Sequence, residues 1–373
     1  MDHTNHDEQP TRFETIAFKA GDGLDLNLKH AIRTTPASKG PVLLVHGAGV
    51  RADIFLAPVK TNIVDYLLAA GYDVWLENWR ASFDVEQNPW TLDQAALFDH
   101  PLAVQKVVEL TGAKTIKAII HCQGSTSFMI SAVAGLVPQV DTIVSNAVSL
   151  HPVVSTAAKI KINLAPPLVS KLTDYLDPRT ADNPQSMLGH LLPWFIKATH
   201  HECENLTCRY ASFLYGVGFP VLWQHENLNH ETHHWLEHEF GFLPMTFYKQ
   251  MSRSINRGRL LTTDTYKELQ NNLQDGHPKT HARFAFFAGK ENHCFKAESQ
   301  ARTFNYFNRL QPGFHSLHLI DNYGHLCMFM GENAAQDVFP LMLAELDKST
   351  HFATDDVDSR NISLEEVKRH ATV

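Results

Sequence analysis

The sequence predicts an α/β protein whose mostly parallel sheet is covered by helices on both faces. Short apolar runs alternate along the chain with segments that have the periodicity of helices. The runs are apolar throughout instead of alternating in polarity, which is typical of parallel strands buried on both faces. The predicted strands of this sheet are residues 41–45, 73–76, 116–120, 141–150, 284–287 and 316–320.

The order of the elements begins with a hairpin. Residues 14–19 and 24–33 have strand-like composition and are joined by a Gly-Asp-Gly turn. Helices are predicted at residues 63–70, 99–111 and 126–136, each between two strands of the parallel sheet. This alternation is what a doubly wound sheet requires.

The alternation is lost from residue 151, where helical stretches rich in His, Trp, Phe and Pro begin. Strands return after about residue 280, so we interpret the segment as a helical cap inserted into one α/β unit. The predicted division is 13–150 for the first part of the core, 151–280 for the cap, 281–348 for the second part of the core and 349–373 for a tail. A capping-box pattern at Ser363 predicts a short helix in the tail.

Composition and charge exclude several partners. The formal net charge of the 373 residues is -8, so neither nucleic acid nor an anionic membrane is expected as a partner. No apolar run approaches the ~18 residues of a membrane span, and the polar start of the chain lacks a signal-peptide core. Five cysteines without a C-x-x-C pair indicate a reducing compartment. We therefore expect a cytoplasmic protein without a membrane span, in which a cysteine is free to act as a nucleophile.

Cys122 is the candidate nucleophile. It follows a predicted strand and precedes a helix, which is the context of the G-x-S-x-G nucleophile elbow, whose strained turn lifts the side chain clear of the backbone. Gly124 keeps its place in that pattern, whereas Ile120 replaces the first glycine. The chain therefore presents a thiol where a hydroxyl is common.

Chain order indicates His325 as the imidazole that exchanges a proton with the thiol, because it follows the last predicted strand. The turn after the preceding strand supplies the group that orients it, which is Asn292 by position or Glu291 after a shift of one residue. A neutral amide is compatible with a thiol, since Cys–His–Asn sites work this way and a thiol of pKa ~8.5 ionises more readily than a hydroxyl.

Two backbone N–H groups are the predicted donors to the oxyanion. The N–H of Gln123 follows the nucleophile at the start of a helix, where the dipole favours negative charge. The second donor is the N–H of Ala48, in a loop after an early strand. Four residues around these groups are expected to support the site: His46, Gly47, His121 and Gly124.

With these residues in place, the chain resembles the α/β-hydrolase superfamily and, within it, the acid lipases. The matching segments are residues 42–47, 68–80, 98–103 and 121–126. A closer resemblance is to the hydrolase-like part of cholesterol-oxidase-type (GMC) flavoproteins, where a His-Cys-x-Gly-Ser sequence is usual. The segments that match there are residues 203–208, 228–233, 291–295 and 323–326. The resemblance covers residues 13–348 and implies an α/β-hydrolase fold with a helical cap, although acid lipases have serine at the position of Cys122 and aspartate at that of Asn292.

The predicted function is hydrolysis of an ester or thioester with a hydrophobic acyl group, through a thioester acyl-enzyme on Cys122 and without a cofactor. The substrate is expected to be a simple ester, or an acyl group bound to coenzyme A or a carrier protein. An acyltransferase with a thioester donor is the first alternative, because exchange between thioesters is nearly balanced in free energy. A hydrolase-fold partner of an oxidoreductase without catalytic activity is the second.

The predicted cap contains a run rich in histidine and cysteine. Its residues are His200, His201, Cys203, Cys208, His225, His230, His233, His234 and His238. No C-x-x-C pair accompanies the run, and its helically spaced histidines could equally form one polar face, so no metal ion is predicted. The resemblance to secreted lipases implies a disulfide between Cys203 and Cys208, which we expect to be reduced here. Six aromatic residues are expected in the core of the cap or the wall of an acyl pocket: Trp194, Phe195, Phe213, Tyr215, Phe219 and Trp223.

Overall fold

The computed structural model describes residues 10–181, 203–269, 273 and 277–348. An eight-stranded sheet forms its centre, with the strand order β1-β2-β4-β3-β5-β6-β9-β10. The strands are β1 (Phe13–Lys19), β2 (Asp25–Ala31), β3 (Pro41–Val45), β4 (Asp73–Asn78), β5 (Ile116–His121), β6 (Val140–Asn146), β9 (Arg283–Gly289) and β10 (Ser316–Ile320). A separate two-stranded sheet consists of β7 (Tyr175–Leu176) and β8 (Leu243–Pro244).

The strands from β4 to β10 in this order are parallel, which confirms the predicted fold class. The opening hairpin adds β1 and β2 as antiparallel strands at one edge. Every residue of β3, β6 and β9 is buried, because helices cover both faces of the sheet. This burial explains why the central strands are apolar runs without alternation.

Helices connect the parallel strands. They are α1 (Ile63–Ala69), α2 (Leu92–Gln94), α3 (His100–Thr111), α4 (Cys122–Ala134), α5 (Thr156–Val169), α6 (Leu206–Tyr215), α7 (His230–Trp235), α8 (Met245–Arg257), α9 (Glu298–Leu310), α10 (Cys327–Met330), α11 (Ala334–Asp337) and α12 (Phe339–Asp347). A π-helical turn, Ala95–Asp99, joins α2 to α3. None of the helices in the described ranges is long and apolar enough to cross a bilayer.

The two largest differences from the predicted boundaries concern α4 and β6. Helix α4 begins at Cys122 instead of residue 126, because His121 is still extended and the chain passes from strand to helix without a loop. Strand β6 ends at Asn146 instead of residue 150, since Ala147 has a φ of 82° that turns the chain out of the sheet. The apolar residues after this turn remain buried.

Helices α5 to α8 and the small sheet lie between β6 and β9 in sequence, where the cap is predicted. The exact division at residues 150 and 280 stays a prediction. Several residues singled out above lie outside the described residues: Trp194, Phe195, His200, His201 and the tail 349–373 with Ser363.

Candidate active site

Cys122 occupies the turn between β5 and α4. Its φ of 53° is in the left-handed region, which a side chain other than glycine adopts only under strain. The strain directs the side chain away from the strand and towards the loop after β3, as in a nucleophile elbow. The predicted strand–turn–helix context of the thiol is therefore present.

Two glycines make room for this turn. A Cβ atom at Gly124 would lie 2.2 Å from the carbonyl oxygen of His46, and one at Gly47 would lie 3.0 Å from the Cβ atom of Cys122. Side chains at either position would push the elbow and the β3 loop apart. The two glycines thus set the distance between the thiol and the backbone of Ala48.

Both predicted oxyanion donors face the sulfur. The N–H groups of Gln123 and Ala48 hydrogen-bond to Cys122 Sγ and lower its pKa, but burial has the larger, opposite effect and raises the pKa of the thiol to about 12. Only 4% of Cys122 is exposed. At neutral pH the sulfur of the resting site is therefore a protonated thiol. It lies next to two N–H groups, which is an arrangement that can hold an oxyanion.

His325 lies in the loop after β10 and contacts Asn292. Asn292 Oδ1 accepts the N–H groups of Cys294 and Phe295, each at 3.0 Å, so its amide nitrogen faces His325 Nδ1, also at 3.0 Å. An Nδ1 atom that accepts a hydrogen bond carries no proton, so the neutral ring has its hydrogen on Nε2. Asn292 therefore contacts His325, and this contact favours the tautomer that carries its hydrogen on Nε2.

The alternative orienting group is not at the site. Glu291 is exposed, and its backbone N–H donates to the carbonyl oxygen of Tyr323. The structure brings Asn292, and not Glu291, against His325.

His121 is a second imidazole beside the thiol. A ring nitrogen of His121, a ring nitrogen of His325 and Cys122 Sγ all lie within 4.8 Å of one another. Asn146 Nδ2 lies 3.0 Å from His121 Nδ1, and Asn146 Oδ1 finds no partner among the described residues. The Asn146 amide can therefore present either its oxygen or its nitrogen to the ring, so His121 can adopt either tautomer. Sequence reasoning gave His121 a supporting role only, because Asn146 comes from a different strand.

Burial keeps the imidazoles around Cys122 uncharged. It lowers the pKa values of His325 and His46 to about 3, and it lowers that of His121 well below its usual value. His46 Nδ1 lies 2.6 Å from the Gly47 carbonyl oxygen. The Nε2 atoms of all three rings are buried and have no partner within the described part of the chain. These rings supply the polar lining of the site.

A Ser–His–Glu chain lies under the elbow and is absent from the predictions. Ser127 Oγ is 2.8 Å from His100 Nε2, and His100 Nδ1 is 2.9 Å from a carboxylate oxygen of Glu77. All three residues have no exposed surface, and Ser127 also donates to the Gln123 carbonyl oxygen at 3.0 Å. We interpret this chain as support for the first turn of α4, because a substrate has no access to it.

An apolar cavity of about 140 Å³ lies near the elbow, where it borders Gln123 but not Cys122 itself. The part nearest the elbow is lined by Gln123, Tyr215, Cys294 and Phe295, and the rest is lined mainly by aliphatic and aromatic residues of α5, α6 and α8. Tyr215 Oη donates to the Ala48 carbonyl oxygen at 2.7 Å and so joins the cap to a predicted oxyanion donor. Of the aromatic residues predicted for the cap, Phe213 and Tyr215 line this cavity, whereas Trp223 is buried in the core.

Curated proteins with similar sequence include lipases and a sterol esterase. Human lipase member K is 30% identical over 153 residues, which are 38% of this chain and 34% of that protein. Human gastric triacylglycerol lipase is 28% identical over 198 residues, which are 46% of each protein. The chain thus spans about a third to a half of the length of these relatives. No family model matches the chain.

Solved structures of the same fold align with most of the chain. A monoglyceride lipase from Saccharomyces cerevisiae aligns with a TM-score of 0.58 at 15% identity, over 91% of this chain and 96% of the other. A putative aryl esterase from Burkholderia cenocepacia aligns with a TM-score of 0.53 at 12% identity, over 90% and 100%. At these identities the likeness concerns the fold. Fold and sequence together place the chain in the α/β-hydrolase superfamily, with lipase-like sequence in the matched part.

Proposed function

We propose that the protein is an ester or thioester hydrolase that acts on hydrophobic acyl groups with Cys122 as its nucleophile. The observation that carries the proposal is the position of the sulfur. It lies at a strained strand–helix turn and against the N–H groups of Gln123 and Ala48, and the next residue, Gln123, lines an apolar cavity.

The reaction begins when the Cys122 thiolate attacks the acyl carbonyl carbon. The two N–H groups then hold the oxyanion, and loss of one such donor in other enzymes costs about 2.7–4 kcal/mol of the barrier. Collapse of the intermediate breaks the bond to the leaving group, which takes a proton, and leaves a thioester on Cys122. Water hydrolyses this thioester and returns a proton to the sulfur.

The two imidazoles have different roles in this mechanism. Asn292 keeps the hydrogen of neutral His325 on Nε2, so this ring is suited to donate a hydrogen bond to the leaving group. The proton that the leaving group takes comes from His121, after that ring has accepted it from the thiol. His121 is suited to accept the thiol proton, since rotation of the Asn146 amide would place the ring hydrogen on Nδ1 and leave Nε2 free. His325 would be the acceptor only with its hydrogen on Nδ1, whereas the Asn292 amide nitrogen favours Nε2.

The cavity supports a hydrophobic acyl group as substrate. Its lining is apolar apart from a few groups, of which Lys161 is the charged one, and this amine is held by the carbonyl oxygens of Phe213 and Gly216. The named activities of the relatives, triacylglycerol and monoglyceride lipases, point to the same substrate class. The same proposal includes three further points. They are coenzyme A or a carrier protein as the leaving group, a cytoplasmic location, and a closer relationship to GMC-associated hydrolases.

A non-catalytic acyl-binding protein is the second candidate function. The burial of Cys122 favours it, since a thiol with a pKa of about 12 is a weak nucleophile at neutral pH. Such a protein would serve as the partner of an oxidoreductase. An acyltransferase would use the same thioester intermediate with an acceptor other than water.

Intact mass spectrometry separates these functions. The protein is incubated with short and long p-nitrophenyl esters and acyl-CoA thioesters, and the same is done with Cys122→Ala and with Ser127→Ala as the matched control. An adduct in the parent protein and in Ser127→Ala, but not in Cys122→Ala, supports the nucleophile. An adduct lost in water indicates hydrolysis, and one that persists until an acceptor is added indicates transfer. No adduct with any donor, together with resistance of Cys122 to alkylation, would favour the binding protein.

A further inference from the structure

Four potential metal ligands converge in the cap, far along the chain from the elbow. They are Cys203, Cys208, His225 and His233, and their sulfur and ring nitrogen atoms all lie within 4.8 Å of one another. Cys208 is buried and the other three are half-buried. The residues come from three segments: the start of α6, the turn His225–Asn227 and helix α7.

The distances match a tetrahedral site. Cys203 Sγ is 3.5 Å from His233 Nε2, and Cys208 Sγ is 3.4 Å from His225 Nε2. Zinc bonds of ~2.3 Å to sulfur and ~2.0–2.1 Å to nitrogen place tetrahedral ligands about 3.4–3.8 Å apart. The two Cys–His pairs are already at this separation, and the whole set needs to contract by about 1 Å.

Local hydrogen bonds hold the ligands in place. Asn205 accepts the N–H of Cys208 at 2.9 Å as the N-cap of α6, and it donates to the carbonyl oxygen of His233 at 2.9 Å. One side chain thereby fixes a ligand on each of two helices. The indole N–H of Trp223 faces the Cys208 sulfur, where it can donate to a thiolate. Outer contacts of this kind orient the ligands of metal sites.

We propose that Cys203, Cys208, His225 and His233 bind one structural Zn²⁺ ion. Two thiolates balance the charge of the ion, and two neutral imidazoles complete an S₂N₂ set that is typical of zinc. All four positions are filled by protein, so the site stabilises the cap and has no position open for catalysis. This proposal differs from the two predictions made from the sequence, which were that no metal ion is bound and that Cys203 and Cys208 are simply reduced thiols.

The site has a consequence for the cap. Helix α6 carries the ligand Cys208 in its first turn, and Cys203 lies just before the helix. The same helix carries Tyr215 at its end, where Tyr215 contacts Ala48 and lines the apolar cavity. Binding of the ion would fix the start of this helix relative to α7. The proposal is independent of the reaction, since it concerns metal content and stability of the cap.

Two other groups compete for a metal ion. Residues 230–234 have the sequence His-Glu-Thr-His-His, which matches the H-E-x-x-H zinc motif, but His230 and His234 are exposed and only His233 joins the cluster. The second group is His121, Cys122 and His325 at the elbow. Substitution of His234 or Cys122 shows whether a bound metal ion belongs to one of these groups and not to the cap site.

The first experiment measures zinc in untagged protein purified without chelators, by inductively coupled plasma mass spectrometry. We expect about one zinc ion per chain in the parent protein and a loss of at least about fivefold in Cys208→Ser and His225→Ala. His225→Cys should retain zinc, because cysteine supplies a ligand at the same place. His234→Ala is the matched control and should retain it as well.

The second experiment uses Co²⁺ alone as a probe of the parent protein after removal of its metal. Bound cobalt should give thiolate-to-metal charge-transfer absorption, and chelation should lower the melting temperature of the parent protein but not that of Cys208→Ser.

Four results would overturn the proposal. They are a parent protein without zinc that binds no cobalt, a mass lower by about two hydrogens from a Cys203–Cys208 disulfide, loss of zinc in His234→Ala, and loss of zinc in Cys122→Ala with retention in Cys208→Ser.

Discussion

Replacing Asn292 with aspartate should raise the reactivity of Cys122. One carboxylate oxygen of the new side chain can keep the N–H groups of Cys294 and Phe295, as Asn292 Oδ1 does at 3.0 Å. The other oxygen then faces His325 Nδ1 as an acceptor instead of a donor. The ring hydrogen moves to Nδ1, and Nε2 becomes free to take the thiol proton.

The size of the effect follows from the present state of the thiol. With a pKa of about 12, about one thiol in 10⁴ is ionised at pH 8. A hydrogen bond to a charged group contributes about 1.5–3 kcal/mol, here to the imidazolium form of His325. This energy corresponds to an increase of about 10- to 150-fold in the population of the thiolate–imidazolium pair.

The assay is the rate of alkylation by iodoacetamide, read from the peptide that contains Cys122. We expect Asn292→Asp to increase this rate by about the factor above, and Asn292→Ala to increase it less. The gain should disappear in Asn292→Asp combined with His325→Gln, because it acts through the imidazolium. An unchanged or lower rate in a variant that melts within a few degrees of the parent, or a gain that survives His325→Gln, would refute the reasoning.

Three further predictions concern the support of the site. Tyr215→Phe removes a hydrogen bond of 2.7 Å to Ala48 and should lower kcat for ester hydrolysis by about 2- to 10-fold, with little change in the melting temperature. Gly124→Ala places a Cβ 2.2 Å from the His46 carbonyl oxygen and should lower the free energy of unfolding by about 1–3 kcal/mol. The pKa values of His46 and His325 are lowered to about 3, so the unfolded chain binds protons below pH 6.5 that the folded chain does not. Stability should therefore decline as pH falls from 6.5 towards 3, by about 1.4 kcal/mol per pH unit for each ring.

Each of these predictions has a control. For Tyr215→Phe, the nearby Tyr248→Phe substitution removes a weaker bond of 3.4 Å to Leu214 and should leave kcat unchanged; equal losses would contradict the role of Tyr215. For Gly124→Ala, the control is Gly40→Ala, whose added Cβ would meet no atom within 4 Å and should lower the free energy of unfolding less. Gly112 is not a suitable control position, because its φ of 68° would strain an alanine. For the pH dependence, the free energy of unfolding is measured with urea at several pH values. The slope of this free energy against pH should be smaller in His46→Gln by the contribution of one proton, and an unchanged slope would refute the linkage.

Much of the sheet could be predicted from the sequence. Strand β3 has the predicted bounds because it is a short apolar run that ends at a glycine-rich turn. Strand β10 also has the predicted bounds, although it contains Ser316 and His318 and is only half-buried. The neighbouring positions of Cys122 and Ala48 also followed, since they lie after the carboxyl ends of adjacent parallel strands. Burial on both faces makes such strands recognisable one at a time.

The hydrogen-bond directions could not be predicted in this way. The tautomer of His325 depends on which atoms of Asn292 the turn N–H groups occupy, and that is a matter of turn geometry. The role of His121 depends on Asn146, which a strand pairing brings beside it. The cluster in the cap combines three segments, so sequence spacing alone did not separate His233 from its neighbours.

The sheet topology makes the cap an exchangeable module. Strand β6 leads into the cap and β9 follows it, yet the two strands are direct neighbours, with Asn146 opposite Phe287. Because the two strands are parallel, the excursion leaves the core at the carboxyl end of β6, at Asn146, and re-enters it at the amino end of β9, at Arg283, which pairs with Thr142. The two points are about 13 Å apart along the strands, so any cap must span this distance. Because the entropy of closing a loop grows only slowly with its length, a longer, shorter or foreign cap can join these two ends without a change in strand pairing. A new binding chamber can thus be grafted onto this scaffold, provided that it replaces the contact of Tyr215 with Ala48.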